Sequence, residues 1–180
     1  MRGYFGVGID GVSKAMNVGN LQRIAHAFGA SFFFTINAQL RMREVESSDT
    51  SHAAGQMPVY RYASAADLSL PVGCTLVGVE ITDEAIDLPR FRHPARAAYV
   101  FGSERLSLSG PLLEACDFVV KIPTRFSINV GMAGGIVLYD RLMSSGRYQR
   151  PVRVGGTPDL LPPAHEWGRP LARIARAQGR

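Results

Sequence analysis

Cysteine is nearly absent: Cys74 and Cys116 are the only two in 180 residues. Both stand among apolar neighbours without metal-ligand spacing, which predicts reduced core thiols rather than a disulfide framework or a zinc site. No apolar run approaches the roughly 20 residues needed to span a bilayer. The opening stretch MRGYFGVGIDG lacks the apolar segment of a secretory signal. A cytoplasmic protein without a membrane partner is therefore expected. The four histidines, His26, His52, His93 and His165, are scattered with no pair at ligand spacing, so no metal is expected. There is no P-loop and no nucleophile elbow. Gly6, Gly8 and Gly11 formally satisfy G-x-G-x-x-G, but they lie inside a candidate strand. A dinucleotide site needs those glycines at the strand-to-helix turn, where a pyrophosphate meets the helix N-terminus.

Lysine is almost missing too, occurring only at positions 14 and 121, so arginine carries nearly all the positive charge. That charge is unevenly placed. Residues 147–180 hold seven arginines against Asp159 and Glu166, which accounts for the whole formal net charge of +5. A basic segment of this kind suits a polyanionic partner. The same segment contains five of the eleven prolines and no clear periodicity before a short basic amphipathic stretch at Leu171–Gln178. The expected organisation is one domain over 1–146 followed by a Pro/Arg-rich extension over 147–180. Leu160, Leu161 and Trp167 are candidates for packing that extension against the domain.

Along the domain, β-branched and aromatic runs alternate with helical patterns. Strands are predicted at 3–10, 31–36, 59–62, 75–81, 97–101 and 118–122. A helix is predicted from Asn20, as N-cap, to about Phe28. Its apolar face is Leu21, Ile24, Ala25 and Phe28, and Gly29 is its stop. Arg23 falls off that stripe, toward the exposed side. A polar connection covers 37–56, a short helix 64–68, and a loop 83–93. A helix with Pro111 in its first turn lies within 108–116, and a small-residue helix begins at Asn129. Alternation of this kind means an α/β fold with a mainly parallel sheet flanked by helices.

Three blocks carry chemistry. The first is Asn17-Val18-Gly19-Asn20-Leu21-Gln22-Arg23 with Phe28-Gly29. The second is Phe101-Gly102-Ser103-Glu104-Arg105-Leu106-Ser107, after a strand. The third is Ile122-Pro123-Thr124-Arg125-Phe126-Ser127-Ile128-Asn129-Val130-Gly131-Met132-Ala133, joining a strand to a helix whose glycines leave backbone N–H groups approachable. In order and spacing these resemble the SpoU/TrmH family of RNA ribose 2′-O-methyltransferases, of the SPOUT superfamily, over about residues 15–141. The departures are Ser107 for a second glycine, only Thr124-Arg125-Phe126 between Pro123 and Ser127, and Gly131 where serine is common.

The resemblance implies a SPOUT-type fold with a C-terminal trefoil knot, S-adenosylmethionine as methyl donor, and an RNA substrate. With no N-terminal RNA-binding domain ahead of the motifs, tRNA is placed ahead of rRNA. It also implies a homodimer in which the knot of one subunit lies beside the motif-one arginine of the other. The implied catalytic residues are Arg23, Asn17, Glu104, Ser127 and Asn129. Donor contacts fall near Val79, Gly102, Ile122, Ser127 and Met132, and RNA contacts at Arg23, Arg41, Arg43, Arg173 and Arg176. A guanidinium is a poor base, with a pKa above about 12, so Arg23 suits phosphate binding and stabilisation of a developing alkoxide. Plain alternatives stand beside these roles: a surface helix arginine for Arg23, a cap for Asn17, a solvated carboxylate for Glu104, and helix capping for Ser127 and Asn129. A catalytically inactive RNA-binding SPOUT relative is the second reading of the chain, and a small nucleotide-binding α/β enzyme the third.

Overall fold

Two phenylalanines on one strand lie across two glycines on its neighbour, and this contact begins the sheet. In the computed structural model, which describes residues 3–11, 14–38, 57–103 and 107–145, β1 (Phe5–Asp10) pairs in parallel with β2 (Phe32–Ile36). A Cβ on Gly6 would collide with the Phe32 ring, and one on Gly8 with the Phe34 ring. The G-x-G pattern is therefore a packing requirement of the sheet and not a phosphate turn.

The remaining strands are β3 (Val59–Tyr62), β4 (Thr75–Val79), β5 (Ile86–Asp87), β6 (Ala97–Phe101) and β7 (Phe118–Lys121). Their order is β3-β2-β1-β6-β4-β7-β5, and every pairing is parallel. Such sheets are buried on both faces, and the alternating side chains divide accordingly. Val7, Ile9, Phe33, Val77, Tyr99 and Phe101 enter one core. Phe32, Phe34, Ile36, Leu76, Ala98 and Val100 enter the other.

Helices α1 (Ala15–Ala27) and α3 (Val130–Ser144) cover the first face, and α2 (Gly110–Ala115) covers the second through Leu112. With Lys14 rather than Asn20 at its N-cap, helix α1 begins six residues before the predicted start; Asn20 is interior to it, and Lys14 makes no side-chain cap bond. The predicted stop is found. Gly29 has φ +80°, its N–H donates to the His26 carbonyl at 2.9 Å, and the Ala30 N–H donates to Ala25 at 2.9 Å. These two bonds satisfy the last carbonyls of the helix.

A partly buried polar chain fixes the far end of α3 to the sheet. Arg141 Nη1 donates to Tyr99 Oη at 3.1 Å and to the Pro94 carbonyl at 2.6 Å. Tyr99 Oη lies 2.6 Å from His93 Nδ1, and His93 Nε2 lies 2.9 Å from Asp140 Oδ2. Burial pushes the imidazole below its usual value despite the opposing pull of Asp140. A neutral ring with its proton on Nε2 then donates to Asp140 and accepts from Tyr99 at Nδ1, so every link has one donor. Burial likewise pushes the Tyr99 phenol up to about 12.

Candidate functional site

Three adjacent strands, β6, β4 and β7, end at the same edge of the sheet, and a cleft of about 450 Å³ opens beyond their carboxyl ends. This is where open parallel sheets hold ligands, and the volume falls in the range of small-molecule sites. Val79 and Glu80 enter from β4, and Phe101, Gly102 and Ser103 from β6. Lys121, Ile122 and Thr124 enter from β7 and its turn. Ser127, Asn129, Val130 and Ala133 close the cleft from the start of α3.

Local chemistry explains how the β7–α3 connection is held. Pro123 ends the strand, and the Thr124 N–H turns back to the Ile122 carbonyl at 2.7 Å. Thr124 Oγ1 donates to the Phe126 carbonyl at 2.9 Å, which closes the short loop on itself. Asn129 is the N-cap of α3, its Oδ1 accepting from the Gly131 N–H at 2.9 Å. The capping role foreseen for Asn129 thus coexists with a place in the cleft wall. A Cβ at position 131 would stand 3.2 Å from that same Oδ1 and 3.4 Å from the Asn20 Cβ. Glycine there gives both the cap and helix α1 room.

Val79, Gly102, Ile122, Ser127 and Asn129 are brought together in this lining. Met132 is not: it is 61% exposed, and Ala133, one step round the helix, faces the cleft in its place. Asn17 is buried in the first turn of α1, and Arg23 is exposed on the same helix. Neither is part of the lining. Glu104, Arg41, Arg43, Arg173 and Arg176 lie outside the described residues.

Three lining or supporting groups escaped the sequence reading. Lys121 Nζ donates to the Thr82 carbonyl at 3.0 Å, tying β7 to the segment after β4. Glu80 accepts at Oε2 from the Leu108 N–H, 2.9 Å, and Asp10 Oδ2 from the Ser109 N–H, 2.8 Å. For Asp10 and Glu80 the only signal in the sequence was an acidic residue near the end of each of two predicted strands; Lys121 gave none.

Both cysteines are free and partly buried, and burial pushes the Cys116 thiol up to about 11 and also raises that of Cys74. Among the described residues no cluster of His, Cys, Asp or Glu could hold a metal. None of the described helices is long and apolar enough to cross a membrane.

The model of the SpoU rRNA methylase family matches residues 5–139. The chain belongs to this family. An uncharacterized tRNA/rRNA methyltransferase of Archaeoglobus fulgidus is 31% identical over 146 residues, covering 76% of this chain and 63% of that protein. The chain thus spans less than two thirds of that relative's length. Among solved structures, the SpoU methyltransferase AviRb of Streptomyces viridochromogenes in complex with the cofactor AdoMet superposes with a TM-score of 0.73. It is 21% identical, with 82% of this chain and 60% of that one covered. A structure described as giving insight into 2-OH methylation of C/U34 on tRNA superposes with a TM-score of 0.70 at 21% identity. There the cover is 82% of this chain and 100% of that one.

Proposed function

We propose that this protein transfers a methyl group from S-adenosylmethionine to a ribose 2′-hydroxyl of RNA, with tRNA ahead of rRNA as the substrate. The observation that carries the reading is the cleft itself. Gly102 of the second motif block and Ile122, Ser127 and Asn129 of the third line one cavity at the carboxyl edge of the sheet. The AdoMet complex of a SpoU methyltransferase of the same fold supports the donor. The full cover of a chain concerned with tRNA 2-OH methylation supports the substrate.

The lining fits such a donor. Val79, Ile122 and Val130 offer apolar contact, Gly102 permits close backbone approach, and Ser127 and Asn129 add polar groups. When bound, S-adenosylmethionine supplies an electrophilic methyl group. The protein's task is then to bring the hydroxyl within about 3–3.5 Å of it in line. Ser127 and Asn129 orient the ribose, Asn17 and Glu104 order the site, and Arg23 binds phosphate and steadies the negative charge that grows on the 2′-oxygen as its proton passes to solvent water. Arg41, Arg43, Arg173 and Arg176 contact RNA phosphates.

A homodimer belongs to the same proposal, as does the trefoil knot of the SPOUT fold. Met132, Ile136 and Tyr139 form one exposed apolar stripe on α3, at 61%, 38% and 48% exposure. Because Arg23 is outside the lining of its own chain's cleft, the arginine serving each cleft is taken to come from the partner subunit. The test is methylation of total RNA from a deletion strain with labelled donor, followed by mapping of the modified nucleotide. Incorporation at one ribose is expected. RNA binding without any incorporation would replace this reading with that of an inactive RNA-binding relative.

A further inference from the structure

Phe101 is the last residue of β6, and in the register it pairs with Ile9 of β1 on one side and Val79 of β4 on the other. One residue further on, Asp10, Gly102 and Glu80 therefore stand in a row across the edge of the sheet. The chain leaves β6 at Gly102 and re-enters regular structure at α2. As it arrives, two consecutive amides are taken by the carboxylates of the two flanking strands. Leu108 N–H donates to Glu80 Oε2 at 2.9 Å, and Ser109 N–H to Asp10 Oδ2 at 2.8 Å. The second oxygen of Glu80 accepts the Ile81 N–H at 2.9 Å.

We infer that Asp10 and Glu80 are positioning residues for the donor site, straddling the β6–α2 loop so that Gly102, Ser103 and Ser107 keep their places in the cleft wall. The inference rests on the methyl-donor reading of that cleft. Asp10 is only 4% exposed, and a buried carboxylate carries a large desolvation cost unless it is bonded. Stability alone is poorly served by it, since buried ionic groups are often replaced by apolar ones without loss. What the charge adds is a short, strong, directional bond. Two such bonds on adjacent amides, from opposite sides, fix both the height and the lateral position of the loop's end. Gly102 is held in turn by the strand it directly follows.

Four variants test this: Asp10→Asn, Asp10→Ala, Glu80→Gln and Glu80→Ala. Three readouts are affinity for S-adenosylhomocysteine by calorimetry, the melting temperature, and hydrogen exchange at the Leu108 and Ser109 amides. Asp10→Asn keeps one acceptor oxygen but loses the charge, and should fall between wild type and Asp10→Ala. Asp10→Ala should bind about tenfold more weakly or worse, with Ser109 exchanging faster. Glu80→Gln can accept only one of its two N–H groups and should fall between wild type and Glu80→Ala. In methyl transfer, the donor KM should rise more than kcat falls. Unchanged donor affinity in folded alanine variants of a binding-competent protein would overturn the inference alone. A wild-type protein that bound neither donor nor product would overturn the donor reading, and the inference with it.

Discussion

Gly134 of α3 is seated against Leu21 of α1 with no room for a side chain between them: a Cβ at position 134 would strike Leu21 Cδ1. This contact lets the two helices approach and brings the start of α3 to the cleft. Gly134→Ala should destabilise the fold by about 1–3 kcal/mol through overpacking, despite the better helix propensity of alanine. Leu21→Ala alone should cost about 2–5 kcal/mol. Thermal or denaturant unfolding of the double variant should show a loss well below the sum of the two, because the truncated leucine makes the space the new methyl needs.

A second prediction concerns acidity. His93 is held neutral in the folded protein by burial, below its reference value of 6.5. Between the lowered folded value and about 6.5 the unfolded chain binds the extra proton and the native chain does not. Stability from this site is therefore complete above pH 6.5 and declines as pH falls through the folded value. Melting temperatures measured from pH 7.5 to 5 should drop on the acid side, and the drop should be smaller in His93→Gln. An identical profile in the variant would remove His93 as the cause.

The third prediction tests the donor loop directly. Gly102→Val should abolish binding of S-adenosylmethionine, since a branched side chain there obstructs close approach to the backbone. Calorimetry is the check, and unaltered affinity would take Gly102 out of the site.

Arg23→Ala should nearly eliminate methyl transfer with donor affinity almost unchanged. Arg23→Lys should recover little, because an ammonium does not reproduce the guanidinium fork. On the proposed dimer, co-expression of Arg23→Ala with Gly102→Val should then restore activity, since a mixed pair would contain one cleft with an intact donor loop and a partner's intact arginine. If each cleft used its own arginine, the mixture would be as inactive as either variant.

The fifth prediction concerns residues 147–180. Truncation after Arg147 should make the dependence of RNA affinity on salt shallower, by roughly 0.7–0.9 in log–log slope for each phosphate no longer neutralised. An unchanged slope with a lower melting temperature would assign the segment to packing instead.

What could be read from sequence depended on how local each signal was. Val59–Tyr62 and Ala97–Phe101 were found with their observed limits, because a short run rich in β-branched and aromatic residues is visible within itself. The β7–α3 block was legible for the same reason. Helix α1 began earlier than its sequence suggests because Asn17, Gly19 and Asn20, poor helix formers, are carried by tertiary packing. Asn17 and Gly19 are buried there, and Asn20 lies beside Gly131. The two-residue strand β5 has too little pattern to detect; only its pairing with β7 defines it. Asp10 and Glu80 looked like ordinary strand ends. Their joint role exists only because β6 is inserted between β1 and β4, a fact of topology that spacing along the chain does not contain.

That insertion also governs the order in which the protein can come into being. As the chain is synthesised, β1, β2 and β3 can join as soon as they emerge, but β4 has no partner among them. The strand that unites the two groups, β6, is made after all of these, and β7, which carries the edge strand β5, is made later still. Until residue 101 has appeared, β1 and β4 each keep an apolar edge without a neighbour, the kind of surface that invites wrong pairing. The closure that follows spans most of the domain, so folding is set by a long-range event rather than by its many local ones. A ribosome-bound fragment ending before Ala97 should accordingly be protease-sensitive and in need of chaperones, whatever the stability of the finished molecule.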